Sequence, residues 1–273
     1  MKLLIIGASS YIGSRLVVDL QDKYAVVGTY HLNDSISPKF VKVDIRNRQS
    51  VDKVFSDVDP DMVVHLANYS SSRQVKGNED FLKLNLDSTQ NIVDTANKYK
   101  IPLVFFSSLS AVTKENLYGE IKAQAEDIVK TVNAGFNIIR PSAVIGLAPV
   151  QTHNKFTDKV LAVIRGQTQE FDNSWVLQPT YIGHLSQVID QIVSKNIRNE
   201  ELNIFTDHPV TQFQIASDIL SRFNLKTSPV DTGRTLPFQK IDAATIKLFD
   251  LLPKTYNEII EQIVAELGKA VSS

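Results

Sequence analysis

The chain has no cysteine among its 273 residues, which excludes disulfides, thiolate zinc sites, iron-sulfur ligation and a cysteine nucleophile. Excess charge is missing too. Lys and Arg number 29 against 30 Asp and Glu, a formal net charge of -1, so no global field draws the protein to nucleic acid. No hydrophobic run approaches the ~20 residues of a membrane span. The one N-terminal apolar run, Leu3 to Ile6, follows a single lysine and stops at Gly7, too short for a signal-peptide core. These absences lead us to expect an unprocessed cytoplasmic protein with neither a nucleic-acid nor a membrane partner. His153, His184 and His208 show no ligand spacing, so no metal site is expected. What is present, 43% hydrophobic and 22% charged residues, is the composition of an ordinary folded chain, long enough for one large domain or two unequal ones.

The first half alternates short β-branched runs with stretches of helical period, the pattern of a parallel sheet covered on both faces by helices. Strands are predicted at Leu3 to Ile6, Ala25 to Thr29, Phe40 to Val43, Met62 to Leu66, Leu103 to Phe106 and Asn137 to Ile139. Ile12, Leu16, Val17 and Leu20 recur at helical spacing, and further helices are predicted over 48–57, 80–98 and 116–133. After Pro141 the alternation fades. A strand at Leu202 to Phe205 and helices at 213–223 and 255–267 remain. The predicted fold class is α/β, a Rossmann-like doubly wound parallel sheet over residues 1–150 and a smaller C-terminal substrate lobe over 151–273, partly interwoven with the first.

Directly after the first strand the chain reads G-A-S-S-Y-I-G, with Gly7 and Gly13 bracketing a turn into the helix that starts near Tyr11. Such a turn aims backbone N–H groups and the positive end of a helix dipole at a pyrophosphate, at the first βα junction where a doubly wound sheet binds a dinucleotide. Ser10 stands where a third glycine is usual, and its Cβ should restrict the approach of the phosphates. The second strand ends Thr29, Tyr30, His31, with no acid before Asp34. An acid there would bind the adenosine ribose and repel a 2'-phosphate. A histidine and two hydroxyls favour NADP instead, with NAD as the alternative. Asp44, in V-D-I-R, is placed either for the adenine or as the N-cap of the following helix.

Tyr118 and Lys122 lie four residues apart in L-Y-G-E-I-K, so on a helix their side chains emerge from one face. A neighbouring ammonium stabilises a phenolate and lowers its pKa from ~10. The pair can then exchange a proton with a carbonyl or alcohol while a nicotinamide exchanges hydride with the adjacent carbon.

Together these elements resemble the extended short-chain dehydrogenase/reductase family. The matching segments are F-F-S-S at 105–108, Y-G-E-I-K at 118–122, N-L-D-S-T at 85–89 and R-P-S-A-V-I-G at 140–146, with weaker echoes at 178–185 and 202–205. D-I-R-N-R-Q-S-V at 44–51 and P-D-M-V-V-H-L-A at 60–67 look most like the branch that contains dTDP-4-dehydrorhamnose reductase. By that resemblance Ser108 holds the substrate oxygen, Tyr118 is the proton donor or acceptor, and Lys122 tunes Tyr118 and binds the nicotinamide ribose. Gly7, Ser9, Ser10, Tyr11, Ile12 and Gly13 contact the pyrophosphate, Asp44 and Ile45 the adenine, and His31 the adenosine ribose side. Leu66, Ala67, Asn85 and Pro141 line the cofactor groove. Only nine residues separate Ser108 from Tyr118, fewer than the family commonly has.

The resemblance implies reduction of a keto group on a nucleotide-linked sugar. An NAD-dependent epimerase using the same triad is one alternative, and a cofactor-bound regulatory subunit without turnover is another. Helices 80–98 and 116–133 are candidates for a homodimer interface, with burial inside the chain as the competing use of their apolar residues. His65 reads as a satisfied core histidine, Trp175 as a packing residue, and Ser70 to Ser72 as a polar loop.

Overall fold

The computed structural model describes residues 1–31, 40–68, 79–114, 116–150, 155–233 and 254–272. In chain order the elements are β1 Lys2–Ile6, α1 Tyr11–Leu20, β2 Ala25–Tyr30, β3 Val41–Lys42, α2 Arg48–Val58, β4 Met62–His65 and α3 Glu79–Tyr99. Next come β5 Leu103–Phe106, α4 Ser110–Thr113, α5 Leu117–Val129, β6 Phe136–Pro141, β7 Ala143–Ile145 and α6 Lys155–Ile164. The remainder is β8 Glu170–Asp172, β9 Val176–Leu177, β10 Pro179–Tyr181, α7 Ile182–Ser194, β11 Glu200–Ile204, β12 Val210–Thr211, α8 Gln212–Ser221, β13 Ser228–Val230 and α9 Tyr256–Ser272. Residues 1–141 with 186–203 form one compact unit, and 142–185 with 204–273 form another.

The first unit is built on a seven-stranded sheet of order β11-β6-β5-β4-β1-β2-β3. β1 runs parallel to β2 and β4, and the parallel pairing continues through β5 to β6. The strand order reverses at β1, so the crevice beyond the ends of β1 and β4 is the switch point where such sheets bind ligands. Leu3, Leu4, Ile5 and Ile6 are all buried, as a strand covered on both faces must be. On one face α2, α3 and α5 bring Val51, Phe55, Ile92, Ala96, Ala125 and Val129 against Leu4, Ile6, Val63, Leu103, Phe105 and Ile138. On the other, Leu16 and Leu20 of α1 are buried, and Asp19 accepts a hydrogen bond from Ser186 Oγ at 2.7 Å.

A buried ion pair fixes α5 to the sheet. Arg140 of β6 donates to both oxygens of Glu126, at 2.8 and 2.5 Å, and its Nη2 also donates to Glu201 of β11. Breaking one partner of such a pair strands a buried charge, so the contact sets the helix position firmly. Part of the apolar surface of helices 80–98 and 116–133 is buried within the chain. Ile92, Val93, Ala96, Ile121, Ala125 and Val129 are buried within the chain, while Asp87, Gln90, Glu120, Gln124 and Asp127 are exposed.

In the second unit β7 runs parallel to β10, β8 parallel to β13, and β9 antiparallel to β12. Glu266 of α9 accepts from the Leu147 amide at 3.0 Å and from Tyr181 Oη at 2.6 Å. Trp175 is partly buried and its amide donates to Asp172. Among the described residues no helix is long and apolar enough to cross a membrane.

Two glycines should respond oppositely to alanine. A Cβ on Gly13 would stand 2.2 Å from the Gly7 carbonyl oxygen, whereas one on Gly268, in α9, meets nothing within 4 Å. Gly13→Ala should cost at least about 1–3 kcal/mol by forcing two backbones apart. Gly268→Ala should gain about 0.5–1 kcal/mol from helix propensity. Urea unfolding of the two variants checks both signs.

Candidate active site

The glycine turn is made by close backbone packing. Gly7 lies at φ +93°, and a Cβ there would come 2.8 Å from the Ala67 amide nitrogen. The Leu66 and Ala67 amides both donate to the Ile6 carbonyl, at 2.9 and 3.1 Å, so the chain leaving β4 lies directly against the chain leaving β1. Gly7 donates its amide to Thr29 Oγ1 at 3.2 Å, which ties the turn to β2. Ser10, in place of the third glycine, fits the turn without backbone strain. It sits at φ -87°, ψ 170°, allowed for any L-residue, and caps α1 by accepting from the Gly13 amide at 3.1 Å. Ser9 and Ile12 are partly buried beside it, while the Tyr11 side chain is buried. What results is a backbone turn at a helix N-terminus so closely packed that a Cβ at position 7 or 13 would collide with neighbouring backbone. That shape fits a pyrophosphate.

At the ribose corner, His31 Nε2 lies 3.6 Å from the Asp44 carboxylate. Asp44 also receives Arg46 Nε at 2.8 Å and Nη2 at 2.7 Å, and these bonds hold its pKa down at about 2. The N-cap of α2 is Asn47, whose Oδ1 accepts from the amides of Gln49 and Ser50. Asp44 therefore leaves the capping alternative and turns back on the Arg46 amide at 3.0 Å. Ile45 contributes its side chain to the core and its carbonyl to Asn91. Asp34 and Ser70 to Ser72 lie outside the described residues.

Across the switch point, β5 delivers Phe105, Phe106, Ser107 and Ser108, and α5 delivers Tyr118 and Lys122. The short connection folds as the single turn α4, and Gly119 makes it fit: a Cβ at 119 would stand 2.2 Å from the Ser110 carbonyl oxygen. Asn116 caps α5 by accepting from the Gly119 amide at 3.0 Å. With α4 and α5 in backbone contact, the Tyr118 phenol is brought near the Ser108 hydroxyl. Burial pushes the Tyr118 phenol up and the Ser108 hydroxyl pulls it partly back, so at neutral pH the phenol keeps its proton. Lys122 is buried, with Nζ donating to the Phe106 carbonyl at 2.9 Å, 4.8 Å from the Phe105 ring centre and 6.0 Å from that of Tyr118. Burial lowers its pKa to about 8, against the opposing pull of Glu126 one turn on. Asn85 and Pro141 are buried; the Pro141 carbonyl accepts from the Leu109 amide at 2.9 Å, which anchors the start of α4.

The sequence profile of the NAD dependent epimerase/dehydratase family matches residues 3–196. The chain belongs to that family. A probable dTDP-glucose 4,6-dehydratase of Sinorhizobium fredii is 32% identical over 47% of this chain and 42% of its own length. The chain thus spans less than half of this relative, and the same holds for the next two matched. A GDP-6-deoxy-D-talose 4-dehydrogenase of Aggregatibacter actinomycetemcomitans is 29% identical over 79% of this chain and 78% of its own. The fold is shared with a solved UDP-glucose 4-epimerase of Thermus thermophilus in complex with NAD, with a TM-score of 0.82, 19% identity, and coverage of 99% and 100% of the two chains. The Rossmann-like architecture and the extended short-chain dehydrogenase/reductase resemblance read from the sequence both agree with the family.

Sequence reasoning missed Gly119 and Phe106, and it placed Thr29 at the cofactor's phosphate end without foreseeing its bond to the Gly7 amide. Of the two missed, only Gly119 had a legible signal, a glycine in the first turn of a helix where it costs about 1 kcal/mol relative to alanine.

The lowered pKa of Lys122 has a stability consequence. Its folded value of about 8 lies below the reference 10.5, so between the two the unfolded chain binds more protons and stability rises with pH; below pH 8 the full cost of the buried ammonium is present. Lys122→Met should therefore stabilise the fold at pH 7, by up to about 3 kcal/mol, and the difference from wild type should vanish above pH 10.5. Chemical denaturation of both proteins across that range checks it.

Proposed function

We propose that the chain reduces a keto group on a nucleotide-linked sugar, with Tyr118 as the proton donor. The single observation that carries this reading is the placement of Ser108 just past the end of β5 and of Tyr118 and Lys122 one turn apart on α5, with Lys122 Nζ on the Phe106 carbonyl, beside a backbone cradle at the switch point of the sheet. The first unit is the dinucleotide-binding domain, and the second supplies the sugar-binding lobe.

The Gly7 to Gly13 turn would hold a nicotinamide dinucleotide, which would supply the hydride. The residues do the rest. Ser108 holds the carbonyl oxygen of the substrate by its hydroxyl. Tyr118, protonated at neutral pH, gives its Oη proton to that oxygen as the alkoxide develops. Lys122, its ammonium kept in place by the Phe106 carbonyl, stabilises the phenolate left behind and offers its remaining N–H groups to the nicotinamide ribose. An epimerase would use the same groups in both directions, without net oxidation of added cofactor.

The cofactor is NADP in preference to NAD. No acid stands at Tyr30 or His31, and among the described residues the carboxylate near His31, Asp44, is engaged by Arg46. His31 and the half-exposed Arg46 then face a 2'-phosphate with donors.

Two measurements test these statements. In single-turnover oxidation of NADPH against a panel of nucleotide-linked keto sugars, Tyr118→Phe should slow the reaction by ~100-fold to 10,000-fold with cofactor affinity nearly unchanged. A variant as fast as wild type refutes the assignment. A wild type that binds cofactor and turns over no keto sugar favours the regulatory reading. In titration calorimetry NADPH should bind more tightly than NADH, and Arg46→Ala should narrow the gap; NADH affinity equal to or above that of NADPH contradicts the preference.

A further inference from the structure

Both ring nitrogens of His65, Oγ of Ser88 and Oγ of Ser107 are buried and have no hydrogen-bond partner among the described residues. His65 is core, as its sequence context suggested, and its ring nitrogens meet no polar group of the described residues. An unpaired buried polar group costs about 1–3 kcal/mol. His65 is the last residue of β4 and pairs in register with Phe105 of β5, so the two side chains point to the same face. Ser107 follows two places after Phe105, again on that face. Ser88 lies in the first half of α3, which in a βα crossover runs back over the C-terminal ends of the strands. The Phe105 ring lies 5.4 Å from the His65 ring and 4.8 Å from Lys122 Nζ, so His65 and Lys122 flank the same aromatic ring.

We propose that His65, Ser88 and Ser107 enclose buried water beneath the Ser108, Tyr118 and Lys122 group, and that His65, acting through it, is a positioning residue for Lys122. A neutral imidazole offers one donor and one acceptor, and each hydroxyl offers both, which together match the two to four hydrogen bonds of a buried water. Such a water gives the ammonium a polar surrounding beyond the single Phe106 carbonyl. The imidazole stays neutral because burial, aided by the Lys122 charge, pulls its pKa down to about 3. The ionisable groups around Lys122 are Tyr118 and Glu126 on its own helix, His65 from β4, and Arg140 of β6 held on Glu126. α4 and β5 bring none, and the buried positions of α3, from Asn85 to Ala96, carry no charge.

The proposal rests on Lys122 holding the cofactor ribose, and its test separates the two claims. NADPH affinity is measured by calorimetry across the neutral to alkaline range for wild type, His65→Leu and His65→Gln. Wild-type affinity should fall as Lys122 loses its proton near pH 8. His65→Leu replaces polar surroundings with apolar ones and should move that midpoint down by about one pH unit, because desolvation favours the neutral amine. His65→Gln keeps a donor and an acceptor and should restore it. Identical midpoints in all three proteins overturn the positioning role while leaving the cofactor assignment standing. No binding by the wild type at any pH overturns the cofactor assignment itself. A high-resolution crystal structure of the wild type stands independent of how the variants fold. Ordered water on a His65 nitrogen supports the proposal, and direct protein partners on both nitrogens overturn it.

Discussion

The rest of the candidate site depends on one desolvated ammonium. Lys122 is buried beside the Phe105 ring with the Phe106 carbonyl accepting from it, an environment that disfavours its charge. Its position is over-determined nonetheless. The Arg140–Glu126 pair holds α5 to β6 one turn further on, and the Asn116 cap with Gly119 seats the start of the helix against α4. The helix cannot slide without stranding a buried charge or separating two backbones, so the ammonium remains near Tyr118 despite its cost. A group held in place at such a cost is one that stability alone does not account for.

The same economy of backbone contact shapes the other half of the site. Gly7 against Ala67, Gly13 against Gly7 and Gly119 against Ser110 are three places where two chains meet with no room for a side chain. The first two make the cradle at the end of β1, and the third brings Tyr118 to Ser108. Parallel strands of one sheet set both halves, so the distance between phosphate cradle and phenol is fixed by strand register rather than by a loop. Catalysis by hydride transfer needs such a fixed relation, because the donor carbon and the proton donor must reach one carbonyl together.

Much of this was legible in the sequence, for identifiable reasons. β1 and β4 are short apolar runs bounded by turn residues, and Tyr118 and Lys122 share a helix face at a spacing of four. Asp44 could be placed at the end of a strand, but its choice of Arg46 over the helix cap could not, because Asn47 offers an equally good capping side chain. Ser10 looked like a departure, since the pattern carries residue type and not φ. Thr29 and Phe106 act through a hydroxyl and a carbonyl whose partners lie across strands, and no local pattern records such partners. The strands of the second unit, two or three residues each, are too short to show a period.

A crystal structure of the protein grown with saturating NADPH tests the central claim most directly. The account predicts pyrophosphate against the backbone of Gly7 to Gly13, the 2'-phosphate near His31 and Arg46, and the nicotinamide ribose within hydrogen-bonding distance of Lys122 Nζ and Tyr118 Oη. A dinucleotide bound elsewhere, or one whose nicotinamide ribose stands apart from both Lys122 and Tyr118, would contradict it.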